Sequence, residues 1–467
     1  MVTGSTEAAA EIGTDAIAER AQELLGRAMD AGAGEAEVFA QTGRSLSAKM
    51  EKGDLSQVQA DESSILGLRV FVDGRLGFAS TNQTDPDSLA AVATDAVAIA
   101  RLSPPDEANV LPDPEAVDDA ARLGHRMDPA LASVGVGEVV ERAQALAARA
   151  AEPDPRISID VASYSVVAGA SVVLSSKGVD QRDRDAALTM SLMGFATDGD
   201  DTGGMDYRGA VVRDAADVDG ELARVADEVA RATVGNLGAT SGESYRGAVA
   251  FAPAALASAI LGPLFGSASA IAVQRGRSAL AGKIGEMVAP GIQVIDDPTD
   301  RASGGARAYD REGLPARRFA LVEDGRLRSF FHNTYSATVD GTRSTGHAQG
   351  GARGVPGLGL HACVVGPTAA DAPADEEAVL AALGSGLYVQ RFSGSVDAAS
   401  GDFSGTAKSA RWVEDGQVVR SVREVMLSGN AFEVLGAGVT LSRAQEKLGG
   451  SSRVSWGLVE GVSVTAG

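Results

Sequence analysis

Between residues 14 and 30, apolar positions recur every three to four residues. Ile17, Ala21, Leu24, Leu25 and Ala28 share one face, and Gly32 and Gly34 follow, which predicts an amphipathic helix. The period then changes. Alternation over 35–42, 46–51 and 55–61 predicts strands, with a turn near Gly53-Asp54. Strands 65–72 and 75–80 flank Asp73-Gly74, a strong two-residue hairpin signal. Asp85-Pro86 places a capping carboxylate before a proline and opens a helix to about Leu102.

The proline-rich stretch 103–115 (SPPDEANVLPDPE) marks a boundary. Beyond it, 136–151 and 218–234 read as helices. Between them 157–165, 168–175 and 187–196 alternate as strands, with a turn at Lys177-Gly178. The acidic loop 198–204 lacks the further ligands a calcium loop requires, so it reads as solvated. A second boundary falls at 235–243. A strand follows at 245–251, then an apolar helix from Pro253. From Gln293 onward the pattern is strand-rich. Asp324-Gly325 and Asp415-Gly416 are hairpin signals in the similar contexts LVEDGRLRSF and WVEDGQVVRS, and 374–383 reads as a short helix. The expected class is α+β: an N-terminal α/β region with mostly antiparallel sheets, then a large antiparallel β-rich domain. The expected divisions are 14–102, 125–236 and 243–467.

Composition narrows the function classes. Only 4% of the 467 residues are aromatic, so the core must be built from Ala, Val and Leu. The net charge of -22 and the lack of a basic stripe argue against direct nucleic-acid binding. No apolar run approaches the ~20 residues that span a bilayer. The N-terminal MVTGSTEAAAEIG lacks the charge-then-apolar order of a signal peptide. A cytoplasmic location is expected. Cys363 is the sole cysteine, which excludes intramolecular disulfides and thiolate clusters.

Residues 275–351 combine RGRSALAGKIGEMVAPGIQVIDDP with YDREGLPARRFALVEDGRLRSFFHNTYSATVDGTRSTGHAQGG. Together with GDFSGTAKSARWVEDGQ and LSGN, this region resembles the PmbA/TldD family, the metalloprotease-related modulator-of-gyrase proteins. The resemblance covers nearly the whole chain. It implies that catalytic members carry H-E-x-x-x-H on the apolar helix, two zinc ligands and a general base, with a cysteine near the C-terminus. The flanking Ser278-Ala279-Leu280 places that motif at residues 261–266. Here Leu261 and Gly266 stand at the histidine positions and Gly262 at the glutamate, and Pro263 interrupts the helix. The terminal GGSSRVSWGLVEGVSVTAG has no preceding cysteine.

The resemblance therefore implies the non-catalytic branch, usually called TldE or PmbA, with neither catalytic residue nor cofactor in this chain. It further implies zinc in a TldD-like partner and a peptide substrate. Arg275, Arg277, Tyr335, Ser344, Thr345 and His347 are the candidates for binding peptide or partner. The competing reading of 333–351 is a multi-turn connection with polar caps. Two alternatives stand beside the subunit reading: a non-enzymatic scaffold of the gyrase-modulator kind, and an independent hydrolase.

Other constellations carry less. His347, His361 and Cys363 could form a soft metal site, although a half-buried strand with a structural thiol explains them more simply. Gly357–Ala362 mimics part of a dinucleotide fingerprint but leads into a strand where a helix is needed. Lys408-Ser409 is an isolated pair without a G-x-S-x-G elbow. His332 and His125 have no acidic or thiol neighbours at useful spacing.

Overall fold

The computed structural model describes residues 14–117, 128–300, 303–423 and 425–467; His125 lies outside them. Helix α1 (Thr14–Asp30) leads into strands β1 (Glu35–Glu51), β2 (Asp54–Val72) and β3 (Arg75–Thr81), then α2 (Pro86–Leu102). Asp85 caps α2 by accepting the Ser88 N–H, as the Asp-Pro pair predicts. Asp73 and Gly74 both have positive φ (51° and 71°), the backbone of a type I′ hairpin. The β1–β2 turn falls one residue earlier than expected, because Lys52 and Gly53 are the pair with positive φ.

Strands β4 (Ile157–Ser175) and β5 (Asp180–Asp198) are longer than the alternation predicts. The expected break between 165 and 168 is absent, because β1 pairs with β4 without interruption from Glu37↔Ser175 to Glu51↔Val161. That pairing also joins the two expected N-terminal units. One sheet runs β3-β2-β1-β4-β5, and the strand Asp206–Val212 pairs with β5.

The sheet has two unlike faces. Val38, Ala40, Leu66, Leu68, Val70, Val172 and Leu174 meet α1 and α2. Leu46, Ala48, Tyr164, Val166, Leu188 and Met190 meet the helices Val136–Ala151 and Val218–Gly235. The intervening residues point the other way, as period-2 geometry requires. That opposite face turns toward the C-terminal domain. Phe39, Val173 and Val179 there pack on Ala352. Gly67 marks the closest approach: a Cβ would lie 2.2 Å from the Ala352 carbonyl oxygen.

The C-terminal domain holds a 14-stranded mixed sheet. Asp324-Gly325 and Asp415-Gly416 both turn hairpins with positive φ at each residue. The short helix starts at Glu376, two residues late, because the Asp375 side chain caps it by accepting the Ala378 N–H. No helix among the described residues is long and apolar enough to cross a membrane. The architecture is α+β.

Candidate functional site

The apolar helix is not regular. It runs as Pro253–Leu256, a π-turn at Ala257–Leu261, then Gly262–Ser267 and Ala270–Gln274. The π-turn ends at Leu261, and the stretch that follows is ordinary α-helix, in which side chains five apart sit about 140° apart. The residues at 261 and 266 carry no polar side chain. Leu261 is fully buried among Val249, Leu256, Leu264 and Leu441. Gly262 and Gly266 have no side chain, and a Cβ at Gly266 would lie 3.0 Å from that of Ala398. Ser267 donates to the Ala398 carbonyl at 2.8 Å and accepts, through its own carbonyl, from the Ser278 hydroxyl at 2.6 Å. These positions offer no donor to zinc, so the ion that the family resemblance implies does not fit this helix.

The segment after it carries the polar chemistry, and most of it is buried. Asp310, Arg311 and Glu312 form a tight turn at the sheet face of the N-terminal region. Arg69 bridges two carboxylates there, donating to Glu37 at 2.7 Å and to Glu312 at 3.0 Å. Arg311 donates to the other Glu37 oxygen at 2.9 Å and stacks on Phe39, 3.9 Å from the ring centroid. All four charged groups are at least nine-tenths buried. Burial pushes the Glu37 pKa up, but the charges of Arg69 and Arg311 outweigh that and leave it below the usual range. Glu312 also accepts the Thr334 N–H at 2.8 Å, which ties the turn to the helix Thr334–Val339.

Asp310 accepts the N–H groups of Glu312, Leu314 and Ala348 at 2.9, 3.1 and 3.0 Å. Burial and the charge of Glu312 nevertheless push its pKa up to about 7.

Next to this turn lies a second buried cluster. His347 contacts Asp296 through Nε2 at 3.2 Å and Thr345 Oγ1 through Nδ1 at 2.8 Å. The sequence Thr–His–Asp has the outline of a nucleophilic triad. Its hydroxyl, however, is held by His332, whose N–H it accepts at 2.7 Å and whose carbonyl it faces at 3.1 Å. Phe319 and Phe331 pack on the His347 ring. His361 stacks on it at 5.3 Å, donates through Nε2 to the Gly346 carbonyl at 2.8 Å, and accepts from Gln349 at 3.1 Å. Gly346 has φ 74°, and a Cβ there would lie 2.6 Å from the Pro315 carbonyl.

Burial, with the charge of Arg307, pushes the His361 pKa down to about 3. Burial and the charge of Asp296 push the Cys363 thiol well up, so it stays protonated and inert. His361 and Cys363 are committed to packing, and no group of three or more His, Cys, Asp or Glu disposed to hold a metal occurs among the described residues.

The predicted binding candidates separate into two sets. Tyr335 donates to Asp106 at 2.9 Å, linking the signature segment to the first boundary stretch. Ser344 donates to the His332 carbonyl at 3.2 Å. Ser344, Thr345 and His347 thus act as internal caps. Arg275 and Arg277 are exposed at the end of the broken helix.

A cleft of about 480 Å³ opens where the polar sheet face meets Arg307, Tyr309 and Arg311. Gln41, Ser63, Gly169 and Ser171 form its floor. Sequence reasoning missed this cleft. Its residues come from four strands and a distant loop, and the one signal was polar and small residues at every second position of β1 and β4.

Known proteins place these observations. Three family models match: PmbA/TldA metallopeptidase domain 1 over residues 36–100, the central domain over 129–237, and the C-terminal domain over 244–466. Metalloprotease PmbA of Escherichia coli O157:H7 is 27% identical over 417 residues, 88% of each chain. A metalloprotease of Methanothermobacter thermautotrophicus is 28% identical over 412 residues, 86% of each. The crystal structure of TldE from Thermococcus kodakarensis superposes with a TM-score of 0.85 at 24% identity, covering 96% of this chain and 100% of that one. A putative modulator of DNA gyrase from Thermotoga maritima gives 0.83 at 21%, with the same coverage. Both share the fold. With its three domains matched in order and relatives aligned over most of its length, the chain belongs to the PmbA/TldD family.

Proposed function

We propose that this chain is the non-catalytic subunit of a TldD/TldE-like zinc metalloprotease complex that cleaves peptides. The observation that carries the reading is the helix at 253–274, whose motif positions Leu261, Gly262 and Gly266 carry no group that could bind zinc or act as a base. A TldD-like partner supplies the zinc ligands and the base. This chain supplies the polar sheet-face cleft, whose small and hydroxyl side chains leave room for an extended peptide. Arg275 and Arg277 are placed to pair with carboxylates of the partner. The TldE fold likeness supports the assignment. The complex works in the cytoplasm, without nucleic acid or membrane.

The test combines the purified chain with a TldD-like sister from the same organism, then measures zinc and peptide cleavage with each alone and together. The expected outcome is one zinc per complex, none in this chain alone, and cleavage by the mixture. Zinc and cleavage by this chain alone would sink the reading. Complex formation with cleavage independent of this chain would favour a scaffold.

A further inference from the structure

A second cleft, of about 560 Å³, lies between the helix Val218–Gly235 and the C-terminal sheet and shares no lining residue with the first. One wall is basic. Arg411 is 8% exposed, and its Nη1 donates to Asn236 at 2.8 Å and to the Ala410 carbonyl at 3.2 Å. It makes no ion pair among the described residues. The nearest buried carboxylate, Asp206, is already held by Arg208, Arg391 and Ser409. Arg411 therefore feels only a counter-charge shared with two other arginines, and a buried guanidinium so placed is costly unless something supplies more.

Carboxylates line the same cleft. Glu446, half-buried, makes no ion pair among the described residues either, whereas Glu228 pairs with Arg224 at 3.0 Å and lies 3.6 Å from Arg208. Burial and the charge of Glu228 push the Glu446 pKa up. Trp456 lies in the same cleft. One cleft thus carries both a guanidinium and a carboxyl group without an ion pair among the described residues, which suits a ligand bearing both charges.

We propose that this cleft binds a small zwitterion of the amino-acid or short-peptide class, its carboxylate on Arg411 and its ammonium at Glu446, with Trp456 flanking the side chain. The volume falls within the ordinary small-ligand range of about 300–1,000 Å³. The site lies within this chain and requires no catalytic partner.

The test is calorimetry on the full chain with alanylphenylalanine, its N-acetyl form, its C-terminal amide and inorganic phosphate. Saturable binding of the free dipeptide is expected, weakened at least tenfold by either blocking group. Arg411→Met should abolish discrimination against the amide alone, and Glu446→Gln discrimination against the acetyl form alone. Gly235→Ala is a control that keeps every charge: its Cβ would lie 2.9 Å from Arg411 Nη2 and should displace the guanidinium, weakening the dipeptide at least threefold. No saturable dipeptide binding, phosphate binding as tight as the dipeptide, or affinity unchanged in both Arg411→Met and Gly235→Ala would overturn the proposal.

Discussion

The helix at 253–274 precedes the family signature and the loop at 307–347 lies within it, and the two differ in how they use polar residues. The helix carries no polar side chain at the three positions where the resemblance implies chemistry: Leu261 is buried, and Gly262 and Gly266 are half-buried. The loop carries many charged and hydroxyl groups; Asp310, Arg311, Glu312 and His347 are buried and bonded to neighbours, while Arg317, Arg318, Arg326 and Arg343 stay exposed. Polar residues at a signature therefore do not mark catalysis by themselves. In the loop they join the C-terminal domain to the N-terminal sheet through Glu37, Arg69, Arg311 and Glu312.

The largest effect should come from breaking that joint. Glu312→Ala leaves Arg69 with half its counter-charge and the Thr334 N–H unpaired, so denaturant unfolding should show a loss of about 3–5 kcal/mol. A loss below 1 kcal/mol would mean that the loop is held by packing alone. Restoring polarity to the helix tests the other half. Leu261→His combined with Gly262→Glu and Gly266→His should cost about 2–5 kcal/mol, because the imidazole at 261 enters an apolar core and Gly266 has Ala398 against it. Metal analysis should find no stoichiometric zinc. Tight zinc binding by this variant would show that the site is merely stripped of ligands and not closed.

The pH response sharpens the comparison within the loop. His361 titrates near 3 when folded and near 6.5 when unfolded, so between those values the unfolded chain binds the extra proton. Its contribution is fully present above about pH 6.5 and is lost as pH falls toward 3. Asp310, raised to about 7, acts with the opposite sign: its contribution is present below about pH 4 and is lost as pH rises toward 7. His361→Asn should therefore flatten the acid limb of a stability-versus-pH curve by about 2 kcal/mol. An unchanged acid limb would remove His361 as its cause.

Smaller effects follow at the edges. Tyr335→Phe deletes the bond to Asp106 and should cost about 0.5–1.5 kcal/mol, read as a lowered melting temperature. Arg275→Ala with Arg277→Ala touches no internal bond and should leave stability within about 0.5 kcal/mol. The same double variant should weaken association with the TldD-like partner. A stability loss in it would make these arginines part of the fold.

Local pattern alone located the N-terminal helices and the hairpin turns at Asp73-Gly74, Asp324-Gly325 and Asp415-Gly416, while the family resemblance pointed to 261–266 as the positions without ligands. Those features depend on backbone preferences or on residue identity, which a linear chain carries in full. The roles of Thr345 and His347 were not legible, since a hydroxyl beside a histidine looks the same in a cap as in a cleft. Their partners His332 and Asp296, and the Phe rings over them, decide the matter.

Sequence by itself determined the family, the class of fold and the absence of metal ligands on the apolar helix. The tertiary structure decided that β1 and β4 fuse the first two units into one sheet, that its polar face looks across to the C-terminal domain, and that Asp310, Arg311 and Glu312 are buried against Glu37 and Arg69. Pairing between strands more than a hundred residues apart, and the burial it imposes, is set by the packing of whole layers. No local window of the chain contains that information.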